Sequence, residues 1–187
     1  MKNILSILLF SFCMVSYGQT DEDDTQKSTR AGDGFGISAA YLNGKAEFGL
    51  PGGVSVESTT QTAYAFGVFV QGSLSENTKV KTDILYATAT NDGATSSSIM
   101  VPFVLKFLSS NGGGFNIQAG VMSSFSLEDV DTDLVKKTAI SGALGLGYDA
   151  GNFMMEVRYY PQLTNSSNID GLTAKANSIS FGLNYLF

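Results

Sequence analysis

The chain has 187 residues, among them 11 basic and 17 acidic side chains, no histidine and one cysteine. A net charge of −6 argues against a nucleic-acid partner, which requires basic patches. Without histidine, an enzyme would have to draw its bases and nucleophiles from carboxylates, Lys, Ser and Tyr, because the single cysteine falls in a segment expected to be removed.

Met1-Lys2-Asn3 is a short positive start, Ile4–Val15 is almost unbroken in its apolar character, and Ser16-Tyr17-Gly18 places small residues before Gln19. This pattern predicts a cleaved secretory signal over residues 1–18, too short for a stable spanning helix. Cys13 lies inside it, and Phe12 before it does not fit a lipoprotein cleavage box, so neither a lipid anchor nor a disulfide is expected. Residues 19–33 (QTDEDDTQKSTRAGD) read as a flexible polar leader, with Asp21-Glu22-Asp23-Asp24 a solvated tail rather than a cation site. No later apolar run approaches the length of a spanning helix. A membrane could then be crossed only by strands closed into a barrel, which satisfies every backbone group in lipid.

From residue 34 to 187 one pattern repeats: segments of about ten residues alternate apolar with small or polar side chains between Gly, Asn, Ser and Asp clusters. The alternation predicts strands near 34–43 (Phe35, Ile37, Ala39, Tyr41), 62–72 (Tyr64, Phe66, Val68, Val70), 79–89 (Val80, Thr82, Ile84, Tyr86) and 98–108 (Ile99, Val101, Phe103, Leu105, Phe107). Four more follow near 114–125 (Phe115, Ile117, Ala119, Val121), 137–149 (Ile140, Leu144, Leu146, Tyr148), 152–160 (Phe153, Met155, Val157, Tyr159) and 178–187. In the last, Ile179, Phe181, Leu183, Tyr185 and Phe187 form a strict apolar ladder.

The opposite faces carry small residues (Ala139, Ser141, Ala143, Gly145 and Gly147) or polar ones, including Gln71, Asn116, Gln118 and Asn184. The links after the first, third, fifth and seventh strands (44–61, 90–97, 126–136, 161–177) are generally longer than those after the second, fourth and sixth (73–78, 109–113, 150–151). Alternation alone fits either a soluble sandwich or a membrane barrel. The segregation of link lengths favours an all-β, eight-stranded antiparallel up-and-down transmembrane barrel with its long loops outside the cell.

The stretches IMVPFVLKF (99–107), FNIQAGV (115–121), GALGLGYD (142–149), MEVRYYPQLTN (155–165) and the closing FGLNYLF resemble the PorT-like family of outer-membrane β-barrel proteins of Gram-negative bacteria. The resemblance covers roughly the second half of the chain. It implies an outer-membrane barrel; the name-giving relatives assist protein secretion and gliding, but no motif here singles out that activity. The ladder ending in Phe187 also resembles the C-terminal signal by which barrel-assembly machinery recognises its clients.

The polar residues expected inside are Lys81, Asp83, Lys106, Glu156 and Arg158. They read as an ion-pair network filling a lumen too narrow for continuous water, with a selectivity constriction as the functional alternative. Glu128-Asp129-Val130-Asp131-Thr132-Asp133 lacks the glycine and distal glutamate of an EF-hand and reads as a solvated loop. Gly49-Leu50-Pro51-Gly52-Gly53 is apolar for an exposed link, and Pro102 inside the fourth strand predicts a local irregularity. The expectation is a non-enzymatic outer-membrane protein without cofactor or metal, in contact with outer-membrane lipid and the assembly machinery, and with a structural or surface-interaction role. A narrow pore is the first alternative, and a soluble lipocalin-like barrel is disfavoured because the chain has no Trp.

Overall fold

The computed structural model describes residues 32–50, 54–91, 94–109, 114–128 and 135–187. They form eight strands: β1 (Gly34–Leu50), β2 (Val54–Ser75), β3 (Thr78–Asn91), β4 (Ala94–Leu108), β5 (Phe115–Ser126), β6 (Thr138–Ala150), β7 (Phe153–Pro161) and β8 (Thr173–Leu186). Each pairs antiparallel with its sequence neighbours, and β8 closes on β1 through pairs such as Tyr41↔Phe181 and Ile37↔Tyr185. Closure leaves no sheet edge within the wall.

The strand count and order match the sequence expectation; the links do not. The 44–61 link is mostly strand, because β1 and β2 stay paired as far as Leu50↔Val54, with one register shift between Lys45 and Glu47. Likewise β3 and β4 pair to Asn91↔Ala94, and β8 begins at Thr173. The asymmetry between the two ends therefore lies as much in strand extension as in loop length. Thr, Ser and Lys in these extensions suit exposed strand as well as loop, so their polarity alone could not separate the two. The signal and leader over 1–31, most of the apolar link around Pro51 and most of the acidic loop after Glu128 lie outside the described residues.

Pro102 behaves as its chemistry requires. The β3–β4 bridges run through Thr82↔Phe103 and resume only at Leu85↔Met100, which leaves the pairing interrupted where Pro102 has no N–H to donate. The turn between β6 and β7 is closed by Gly151, whose φ of 63° is left-handed and favours glycine.

Side chains sort by parity. Phe35, Ile37, Tyr64, Phe66, Phe115, Leu146, Phe153 and Leu183 are exposed on the outside. Aromatic contacts gather at two levels. Near the end where β1 begins and β8 ends, Phe115 packs on Tyr148 (4.7 Å), Phe153 on Tyr185 (4.9 Å) and Phe35 on Phe187 (5.5 Å). Toward the other end, Tyr41 meets Tyr64 (5.6 Å) and Phe66 meets Tyr86 (5.4 Å). Two aromatic belts around an apolar wall are what a barrel in lipid presents at its two interfaces.

The inward face is more mixed than the polar interior expected from sequence. Leu42, Leu85, Met100, Val104, Met122, Ala143 and Tyr160 form a buried apolar cluster, and Phe69, Met154 and Leu186 form another. Leu42, Leu85 and Met100 lie on the loop side of a polar waist, whereas Phe69 and Met154 lie among its charges, Phe69 paired across the strands with Asp83 and Met154 with Asp149. Single apolar residues at inward positions carry no periodic signal of their own, which hides them in a sequence reading.

Candidate functional site

Strand pleating brings the expected polar residues to the waist from β3, β4 and β7. Lys81 and Asp83 alternate inward on β3, Lys106 on β4, and Glu156 and Arg158 on β7; all are buried. Four of them make one ring. Lys81 Nζ lies 2.9 Å from Asp83 Oδ1 and 2.7 Å from Glu156 Oε1, while Arg158 Nη1 lies 3.0 Å from Asp83 Oδ2 and its Nη2 pairs with Glu156 Oε2. Each cation thus touches both carboxylates. That arrangement offsets the cost of removing four charges from water, because each carboxylate receives more than one charged donor.

Neutral groups complete the ring. Asn184 Nδ2 donates to Glu156 Oε1 (2.7 Å) and its Oδ1 accepts from Lys81 (3.0 Å). Ser38 Oγ lies 3.0 Å from Asp83 Oδ1, and Arg158 Nε donates to Gln118 Oε1 at 2.6 Å. Lys81 also stands 4.6 Å above the centre of the Phe69 ring, a cation–π contact.

Lys106 stands apart from that ring. Its partner is Asp149 on β6, at 3.0 Å, with Gln71 Oε1 accepting at 3.0 Å and Met154 Sδ at 3.4 Å. The link back to the ring is neutral: Gln118 Nε2 donates to Asn116 Oδ1 (2.9 Å), and Asn116 Nδ2 donates to Asp149 Oδ1 (3.1 Å). Asp149 was missing from the residues singled out by sequence. It shares the inward parity of Gly145 and Gly147, so that parity could have found it.

The small inner face of β6 also gains a reason. A Cβ on Gly147 would stand 2.6 Å from Asn116 Oδ1 and 2.7 Å from Gln118 Nε2, and one on Gly145 would stand 2.8 Å from Arg158 Cγ. These glycines leave the room that the amide chain and the arginine occupy. Beside the ring remains a cavity of only about 20 Å³, bounded by Ser38, Asp83, Glu156, Arg158 and Tyr160 among others. That is room for about one water.

A second polar cluster lies at the start of β1. Asp33 accepts from the Ser73 N–H (2.9 Å), the Ser73 hydroxyl (2.7 Å) and Lys79 Nζ (2.7 Å). Partial burial pushes its carboxyl up, but the Lys79 and Ser73 hydrogen bonds outweigh that and hold it below the ordinary value. One residue earlier, the Gly32 carbonyl accepts from Gln71 Nε2 at 2.7 Å, which joins the entry of the chain to Lys106 and Asp149. The ladder residues Ile179, Phe181, Leu183 and Phe187 are exposed on the wall, Tyr185 is half-buried, and the Phe187 N–H donates to the Phe35 carbonyl at 3.0 Å. None of the five faces the lumen network. Among the described residues no cluster of three or more potential metal ligands occurs.

The closed antiparallel barrel has a counterpart among solved structures. The chain is similar to neisserial surface protein A (NspA), with 12% identity over 81% of this chain and 97% of that one and a TM-score of 0.50. The fold is that of an outer-membrane β-barrel. A further likeness, to the outer membrane protein OprG from Pseudomonas aeruginosa, has 10% identity over 85% of this chain and 98% of that one, at a TM-score of 0.44. No protein-family model matches the chain, and no curated protein matches it either.

Proposed function

We propose that this protein is a non-enzymatic integral outer-membrane protein whose role is exercised at its loop end, with the barrel as a sealed scaffold. The observation that carries this reading is the waist itself. Lys81, Lys106 and Arg158 meet Asp83, Asp149 and Glu156 with charges balanced and buried, and the cavity left beside the ring is only about 20 Å³. In this reading the start of β1 and the end of β8 face the periplasm, and the β1–β2 hairpin and the β5–β6 and β7–β8 links face outward. Purified barrel reconstituted in planar bilayers is expected to be electrically silent. A steady solute-dependent conductance that changes when Arg158 or Glu156 is replaced would overturn the sealed scaffold.

The same ring supports a second reading, a narrow pore with Arg158 and Glu156 at its constriction. Because both cations already touch both carboxylates, an exchange of partners needs little movement. The PorT-like stretches support a third reading, an accessory to protein secretion; it predicts a secretion defect on deletion of the chain without any conductance. The ladder ending in Phe187 is assigned to recognition by the assembly machinery.

A further inference from the structure

The link between β7 and β8 is built, and it holds a cleft that the lumen network does not explain. Asn165 closes its neck: Oδ1 accepts from the N–H groups of Ser167 (3.1 Å) and Ala174 (2.8 Å), and Nδ2 donates to the Leu172 carbonyl (2.9 Å). Gln162 braces the base, donating to the Thr164 carbonyl (2.7 Å) and Ser166 Oγ (2.6 Å) while accepting from the Ala176 N–H (2.8 Å). The segment before β6 joins it through a Val135↔Ser167 bridge and a Lys136 N–H to Ser166 carbonyl bond of 2.9 Å.

Where these two segments meet lies an open cleft of about 360 Å³, formed by the β7–β8 link and Lys136; its described lining includes Ser167, Asn168, Asp170 and Thr173, with Ile169 as its exposed apolar ledge. That volume falls in the range of small-molecule sites. Ser167 is buried, whereas Lys136, Asp170 and Thr173 stand at the exposed rim.

We infer that this cleft binds a neutral saccharide. Amide, hydroxyl, ammonium and carboxylate groups give both donors and acceptors, which a ring of hydroxyls can meet at once. Among the described residues of the lining, one ammonium stands against one carboxylate, with no excess of positive charge to favour a phosphate or a sulfate. The predominantly polar lining disfavours an acyl chain, while Ile169 offers the apolar contact that the C–H face of a sugar ring requires. The bracing by Asn165 and Gln162 means little loop ordering remains to be done on binding. This inference deepens the surface-interaction reading and rests on it for the loop's outward placement. The sugar can come from a soluble oligosaccharide or from the headgroup of a glycolipid.

The test uses the whole mature chain, 15N-labelled and folded in detergent micelles, titrated with glucose, galactose, mannose and N-acetylglucosamine and their short oligomers. Glucose 6-phosphate is the charged comparator. Saturable shifts confined to amides 135–137 and 162–174, weakened about tenfold by Asp170→Ala and by Thr173→Ala and unaffected by Lys45→Ala on the β1–β2 hairpin, are the expected result. Unchanged amide positions elsewhere establish that these variants fold. Titration with lipid-free core oligosaccharide and with the intact glycolipid in bicelles separates the two sources, and response to either supports the site. No saturable shift with any of these probes, binding by Asp170→Ala and Thr173→Ala as tight as by the unsubstituted chain, or tighter binding of glucose 6-phosphate would overturn it. Failure of the outward placement is read separately, by whether a protease cuts at a site inserted after Asn168 in intact cells.

Discussion

On β7, Phe153, Met155, Val157 and Tyr159 face outward while Met154, Glu156, Arg158 and Tyr160 face inward, and different physics holds the two sets. The outer residues meet a solvent that any apolar side chain satisfies, so their identity is loosely constrained. Each inner polar residue has a named partner on another strand: Glu156 with Lys81 and Asn184, Arg158 with Asp83 and Gln118. One wall thus combines a generic surface with a specific one. The inner face is what makes this barrel different from another of the same strand count.

The largest effect should come from breaking the inner face at one partner. Replacing Arg158 by Leu leaves Asp83 and Glu156 sharing Lys81 alone, and losing one member of a buried ion-pair set costs about 3–5 kcal/mol. Urea titration of the folded barrel in vesicles, read by the gel mobility of unheated samples, should show that loss. Lys106→Met should behave similarly. Combining it with Asp149→Leu should recover much of the loss, because both charges then leave together. Equal destabilisation in the single and double variants would mean that the pair is not the unit the geometry indicates.

The outer face should respond to charge and ignore shape. Leu183 lies on the wall between Tyr185 and Phe181 and is 65% exposed. Leu183→Arg should cost about 2–4 kcal/mol in a bilayer, as a cation at mid-depth does, whereas Leu183→Ile should change little. The same urea titration reads both. If Leu183→Arg were tolerated as well as Leu183→Ile, that part of the wall would not be facing lipid.

This division also explains what could be read from sequence. Period-two alternation is a property of the generic face, so strand number, order and parity were all legible from residues such as Phe115, Ile117 and Leu146. The specific face was legible only as a set of inward polar residues. That Lys106 would leave the Lys81 ring for Asp149 depends on how far neighbouring strands are staggered, which no local pattern encodes. The hairpin extension around Lys45–Leu50 was missed for a different reason: its polar residues suit exposed strand and loop alike.

Between the two faces stands the C-terminus. Phe187 contacts Phe35 and Tyr185, each at 5.5 Å, so Phe187→Ala should cost only about 1 kcal/mol of stability once the barrel is folded. Its larger effect is expected on assembly, as a several-fold lower amount in purified outer membrane. Normal outer-membrane levels with reduced stability would reverse that assignment and make Phe187 an ordinary girdle residue.

The smallest effect should come from Asp33, which joins the entry of the chain to β2 and β3. Its carboxyl is held below the ordinary value of about 4 by Lys79 and Ser73 against partial burial, so the folded state favours the ionised form. A carboxyl with a depressed folded value adds stability above its unfolded value and loses it as pH falls through the folded one. Stability should therefore decline as pH drops from about 5 to below 4, with Asp33 as one contributor. Because the pair is partly exposed, the contribution is on the order of 1 kcal/mol and should shrink in high salt. Asp33→Asn keeps a hydrogen-bonding side chain at that position but removes the charge. It should lower stability at pH 7, lower it less at pH 3, and so flatten the acid limb relative to the wild-type chain. Urea midpoints at the two pH values check this: an equal loss at both would mean that Asp33 acts through hydrogen bonds alone, not through its charge.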